Sequence, residues 1–130
     1  MKIVLDTNVI VSALLCPQSL PAKILGLVLN GTIGIVYDNN VLLEYIDVLN
    51  REKFKINKES IKVIFEFMKN DGEYTISIPR NVKFADEDDR IFYELYKSGE
   101  VDFLITGNIK HFPKEKNIVT PKEFIEIINN

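Results

Sequence analysis

Ile3-Val4-Leu5-Asp6-Thr7-Asn8 decides the fold. The run from Lys2 to Leu5 is too short for a stable helix and rich in β-branched residues, so it reads as a buried strand. It stops at a carboxylate followed by small polar residues, and Val9 to Leu15 continues as a helix. Strand, turn and helix in that order open a parallel α/β unit, where ligands collect at the carboxyl ends of strands. Asp6 therefore stands where such folds do their chemistry. Asp6 and Thr7 are also good N-cap residues, so this stretch alone leaves a capping role as an equal reading.

Outward from that stretch, helices and strands alternate. Ser19 followed by Pro21 announces a helix that runs to about Asn30-Gly31. Ile33 to Tyr37 is a second apolar strand, and Asp38-Asn39-Asn40 caps the next helix. That helix turns Val41, Leu42, Tyr45, Val48 and Leu49 to one face, with Glu44 at its edge. Ile61, Ile64, Phe65 and Met68 mark another amphipathic helix, stopped by Asn70-Asp71-Gly72. Tyr74 to Ile78 alternates polar and apolar residues, as an edge strand ended by Pro79 does. Asp86-Glu87-Asp88-Asp89 opens a helix that stops at Gly99, and acidic residues there also suit the positive end of a helix dipole. Phe103 to Thr106 is a further buried strand ending in Thr106-Gly107-Asn108, much as the first strand ends. Ile118-Val119 is a short last strand, and Thr120-Pro121-Lys122-Glu123 starts the final helix, Pro121 to about Ile128. Continuous apolar strands between helices predict an α/β fold with a mainly parallel sheet covered on both sides.

The chain has 130 residues, 46% hydrophobic and 27% charged, which predicts a single globular domain over 1–130. No apolar run approaches the roughly 20 residues that span a bilayer, and Met1-Lys2 leads straight into a strand, so a cytoplasmic location is expected. Cys16 has no partner for a disulfide and is expected to pack in an apolar setting. A net charge of −3 gives no general attraction to nucleic acid. Local basic segments, Arg51-Glu52-Lys53-Phe54-Lys55 and Lys110-His111-Phe112-Pro113-Lys114, are candidates to hold a phosphate backbone, although such runs are commonly solvated faces.

Asp6, Glu44, the Asp86 to Asp89 cluster and Asn108 occupy strand ends or helix edges that a parallel sheet brings to one rim. Carboxylates gathered there repel one another unless a cation compensates, and hard oxygen ligands suit Mg²⁺ or Mn²⁺. Such an ion lowers the pKa of a bound water and stabilises charge on a phosphodiester under attack, so no side-chain nucleophile is required. His111, the single histidine, lies in a loop-like segment and is not expected to act as an acid or base.

Leu5-Asp6-Thr7-Asn8, Leu42-Leu43-Glu44-Tyr45 with Val48-Leu49-Asn50-Arg51, Asp86-Glu87-Asp88-Asp89 and Leu104-Ile105-Thr106-Gly107-Asn108 together resemble the PIN-domain ribonucleases, including toxin components of toxin–antitoxin pairs. The resemblance covers nearly the whole chain. It implies a three-layer α/β/α sandwich and metal-dependent cleavage of single-stranded RNA, with Asp6, Glu44 and Asp89 as catalytic acidic ligands. Asp86 would assist as a further ligand, and Thr7, Asn8, Asp88 and Thr106 would support the site; of the basic segments above, Arg51, Lys53, Lys55 and Lys110 are the candidates to hold RNA. Asn108 falls where many relatives have Asp, so one negative charge is missing; an amide oxygen still binds a metal or its water. A helical wheel sets Asp88 nearer the apolar face than Asp89, while the family spacing to Thr106-Gly107-Asn108 favours Asp89. The resemblance also implies a homodimer and a small antitoxin as partners.

Two other readings compete. Asp6 could be the covalent nucleophile of a phosphatase, but the haloacid dehalogenase-like enzymes usually carry a second Asp two residues on, where this chain has Asn8. Alternatively, the domain binds RNA or protein without efficient catalysis, a reading that Asn108 permits.

Overall fold

The computed structural model describes every residue from Met1 to Asn130. Its elements run β1 (Lys2–Leu5), α1 (Thr7–Leu15), α2 (Leu20–Leu29), β2 (Gly34–Tyr37), α3 (Asn39–Leu49), α4 (Lys58–Asp71), β3 (Glu73–Tyr74), α5 (Arg90–Ser98), β4 (Phe103–Ile105), β5 (Ile118–Val119) and α6 (Pro121–Ile128). Short 3₁₀ turns occupy Glu52–Phe54, Glu87–Asp89 and Ile109–His111. The strands form a five-stranded sheet in the order β3-β2-β1-β4-β5, every pair parallel.

β1 is the centre of this sheet for a compositional reason. Successive side chains of a strand point to opposite faces, and Ile3, Val4 and Leu5 are all fully buried. Both faces are therefore covered by helices, which gives the α/β/α sandwich. α5 packs on β1 and β4, α4 on β2, and α2 joins α1 to α6. Leu5 stands opposite Ile105 in the register of β1 and β4, so the residues that follow them, Asp6 and Thr106, leave the sheet side by side.

The helix starts read from sequence hold in detail. Ser19 caps α2 through a bond from the Ala22 amide, and Asp38 caps α3 through one from Val41. Thr120 and Glu123 make a reciprocal capping box at α6. Gly72 ends α4 with its amide bonded to the Met68 carbonyl at 2.8 Å. A Cβ there would lie 2.6 Å from that carbonyl oxygen and 3.1 Å from the Tyr37 ring, so only glycine fits.

Two expectations fail. The strand expected over Tyr74 to Ile78 is limited to Glu73–Tyr74, and Ile76 and Ile78 are exposed. Its partner β2 ends at Tyr37 to begin α3, so little backbone remains to pair with beyond Thr75. The amides of Ile78 and Arg80 bond instead to side chains of α5, Ser98 Oγ and Glu94 Oε2, each at 2.8 Å. Cys16, expected to pack, is exposed, because α1 ends at Leu15 and the chain turns outward before Ser19. No single helix is long and apolar enough to cross a membrane.

Candidate functional site

Asp6 lies at the N-cap position of α1 yet makes no side-chain capping bond. Its Oδ2 instead accepts the Thr106 hydroxyl at 2.7 Å, and Thr106 Oγ1 accepts the Asn108 amide at 3.0 Å. Asp6, Thr7 and Thr106 are all buried. The neighbouring strand ends thus fix the carboxylate, with Asp6 N–H bonded to the Ile105 carbonyl at 3.0 Å. From beneath, the buried Tyr45 hydroxyl donates to the carbonyl of Leu5. Asp6 is thus held chiefly by its neighbour across the sheet rather than by a capping bond to the helix it begins.

The acidic cluster is split by its local geometry. Residues Glu87–Asp89 form a 3₁₀ turn, so the α-helical wheel that placed Asp88 toward the apolar face does not apply: Asp88 is exposed and Asp89 is buried. Asp86 caps the turn, its Oδ1 accepting the Asp88 amide at 2.9 Å. Asp89 Oδ2 lies 3.2 Å from His111 Nδ1. His111 arrives there because the turn after β4 folds back on itself, with His111 N–H bonded to the Asn108 carbonyl at 2.9 Å. Sequence reasoning set this histidine aside; the signal for it was its position one turn beyond a strand end that already carried site residues.

A cleft of about 220 Å³ gathers these groups. Asp6, Glu44, Asp86, Asp88 and Asp89 line it together with Thr7, Asn8, Asn108 and His111, and Arg51, Lys53 and Phe54 form part of its wall. Glu44, partly exposed on α3, also faces a second cleft beside Asp47, Glu87 and Asp88. Lys110 lies elsewhere, on a cleft shared with Pro113 and Lys114, and Lys55 is exposed outside all three.

Electrostatics in the cleft favour a cation. Burial pushes the Asp6 carboxyl above its ordinary value; the Thr106 hydroxyl and the amides of Asn8 and Thr7 only partly offset this. Asp89 is raised by burial and then by the charges of Asp6 and Asp86, with His111 pulling the other way. Glu44 is raised by burial and by Asp88 and Asp47, with Arg51 opposing. Carboxyls raised by burial, and at Asp89 and Glu44 also by neighbouring negative charge, are stabilised when a positive charge enters the cleft. The donors are hard oxygens, and the Thr7 hydroxyl in the same cleft is buried without a hydrogen-bond partner. This chemistry fits a hard divalent ion. No three His, Cys, Asp or Glu side chains come together closely enough to form a finished metal shell.

The carboxylate cleft thus lies at the carboxyl ends of β1 and β4 of a parallel α/β sandwich, where ligands of such folds collect. The PIN domain family profile matches residues 2–110, and the chain belongs to that family. PIN domains are generally nucleases and typically use divalent metal ions. The chain is also similar to the uncharacterized protein MJ1680 of Methanocaldococcus jannaschii, 32% identical over 144 residues that cover 96% of this chain and 90% of the relative. No solved structure matches it significantly.

Proposed function

We propose that this chain is a Mg²⁺- or Mn²⁺-dependent endoribonuclease that hydrolyses phosphodiester bonds in single-stranded RNA. The observation that carries the reading is the position of Asp6: buried, held by Thr106, and facing the same cleft as Asp89 and Glu44. In this reading Asp6, Glu44 and Asp89 are the catalytic carboxylates, with Asp86 and Asn108 as further oxygen donors. The bound ion would supply a water of lowered pKa and positive charge for the attacked phosphate.

The protein's own part is positioning. Thr106 holds Oδ2 of Asp6, and His111 holds Oδ2 of Asp89, where both carboxylates line the cleft. Thr7, Asn8 and Asp88 border the donors, and Asn108 contributes an amide oxygen where a carboxylate would add charge. Arg51 and Lys53 offset the repulsion that this acidic cleft exerts on a phosphate chain.

The biological setting we infer is a toxin of a type II toxin–antitoxin pair, acting as a cytoplasmic homodimer and masked by a small antitoxin. That part rests on the family resemblance. Calorimetric titration with Mg²⁺ and Mn²⁺ tests the site itself: wild type binds and Asp6→Asn binds far more weakly. If neither ion binds wild type, the metal-nuclease mechanism is wrong.

A further inference from the structure

The carboxylate cleft sets a problem for any RNA substrate, because its donors repel the phosphates they must approach. Its wall answers with one short turn. Arg51, Lys53 and Phe54 all come from the link between α3 and α4, and all line the cleft that holds Asp6. We propose that this turn is a nucleotide subsite, in which the Phe54 ring stacks a base flanking the cut and Lys53 with Arg51 takes the adjoining phosphate. The proposal rests on the ribonuclease reading and names how that substrate is held.

Three features support it. Lys53 Nζ lies over the Phe54 ring, 5.0 Å from its centroid, so cation and aromatic ring meet at one point of the cleft wall, and the flexible lysine swings from the ring to a phosphate as a base takes its place. Sequence-tolerant grip on single strands uses this pairing of base stacking with cationic backbone contacts. Phe54 packs partly against the core but keeps exposed surface, so its ring is anchored and still available. The turn is also built to hold its shape. The Phe54 and Lys55 amides bond to the carbonyls of Arg51 and Glu52 at 3.2 and 3.1 Å, and Lys58 Nζ ties Asn50 Oδ1 at 2.8 Å. Lys55 closes it with φ 52°, the one positive φ at a non-glycine residue in the chain. A left-handed residue of this kind costs conformational energy and persists where the surrounding structure demands it. Here it ends the 3₁₀ turn directly after Phe54.

The experiment uses the full chain, Mg²⁺ and a single-stranded RNA of about a dozen nucleotides carrying 2-aminopurine at successive positions, with cleavage followed in the same samples. Stacking on Phe54 quenches the probe at one position. Phe54→Tyr retains the quench, whereas Phe54→Leu, shown folded by thermal melting, loses it and binds roughly tenfold or more weakly. Its loss appears in KM more than in kcat. Lys53→Ala lowers the salt dependence of binding by about one phosphate contact. Equal quenching and KM for Phe54→Leu and wild type overturn the proposal, as does a wild type that quenches nowhere. Position-specific quenching without any cleavage supports the subsite and overturns the nuclease reading instead.

Discussion

The Thr106 hydroxyl donates to Oδ2 of Asp6 at 2.7 Å, with both side chains buried at the ends of adjacent parallel strands. The strand register alone puts them there. A hydrogen bond that orients a ligating carboxylate typically governs metal affinity by about 10–100-fold. Thr106→Val keeps the shape and removes the donor, so Mg²⁺ affinity should fall by about that factor, while Thr106→Ser should retain most of it. Calorimetry on both variants checks this.

Asp6, Glu44 and Asp89 all have carboxyls raised above their ordinary values, chiefly by burial. The folded state therefore holds their protons more tightly than the unfolded chain does. In EDTA, stability should rise as pH falls through the window between the ordinary carboxylate range and the raised values, and should be lowest above it. Asp6→Asn removes one of these buried charges. At neutral pH without metal it should melt higher, by roughly 3–6 °C if about 1 kcal/mol is relieved. Melting curves across pH, with and without Mg²⁺, provide the check.

Asn108 lines the same cleft and supplies an amide where a carboxylate would bring a further charge. Asn108→Asp should tighten Mg²⁺ binding and lower the melting temperature in EDTA, because like charges so close destabilise each other until a cation arrives. Opposite signs for the two readouts distinguish a ligand position from a neutral one.

Tyr45 is fully buried and its hydroxyl donates to the carbonyl of Leu5, the residue before Asp6. Tyr45→Phe removes the donor and should cost about 1–3 kcal/mol, read from urea denaturation. The phenol is itself held well above its ordinary pKa, first by burial and then by Asp6 and Asp38, so it stays a neutral donor across the working range.

Much of this architecture was legible in residue patterns. β1 could be read because a buried parallel strand is apolar on both faces, and α2, α3 and α6 because Ser19, Asp38 and Thr120 are caps whose bonds are local. Glu44 stood out as a carboxylate at the edge of an apolar helix face. What resisted reading depended on distant partners or on a change of helix type. The segment after Tyr74 alternates like a strand, but β2 ends too early to pair with it. The helical wheel sets Asp88 nearer the apolar face, whereas the 3₁₀ turn leaves Asp88 exposed and buries Asp89, the residue that the family spacing favours. His111 reaches Asp89, and Phe54 reaches the cleft, through folds of the backbone that no periodicity announces.

The most direct test of the central claim is cleavage of a mixed pool of single-stranded and structured RNAs by scrupulously purified protein, with Mn²⁺, Mg²⁺ or EDTA, comparing wild type with Asp6→Asn. The account predicts cutting of single-stranded RNA by wild type with either metal, none in EDTA, and a loss of about a hundredfold or more in the variant, of the order seen when a key group for transition-state charge is removed. Equal cutting by both proteins, or no cutting by wild type with either metal, would contradict it.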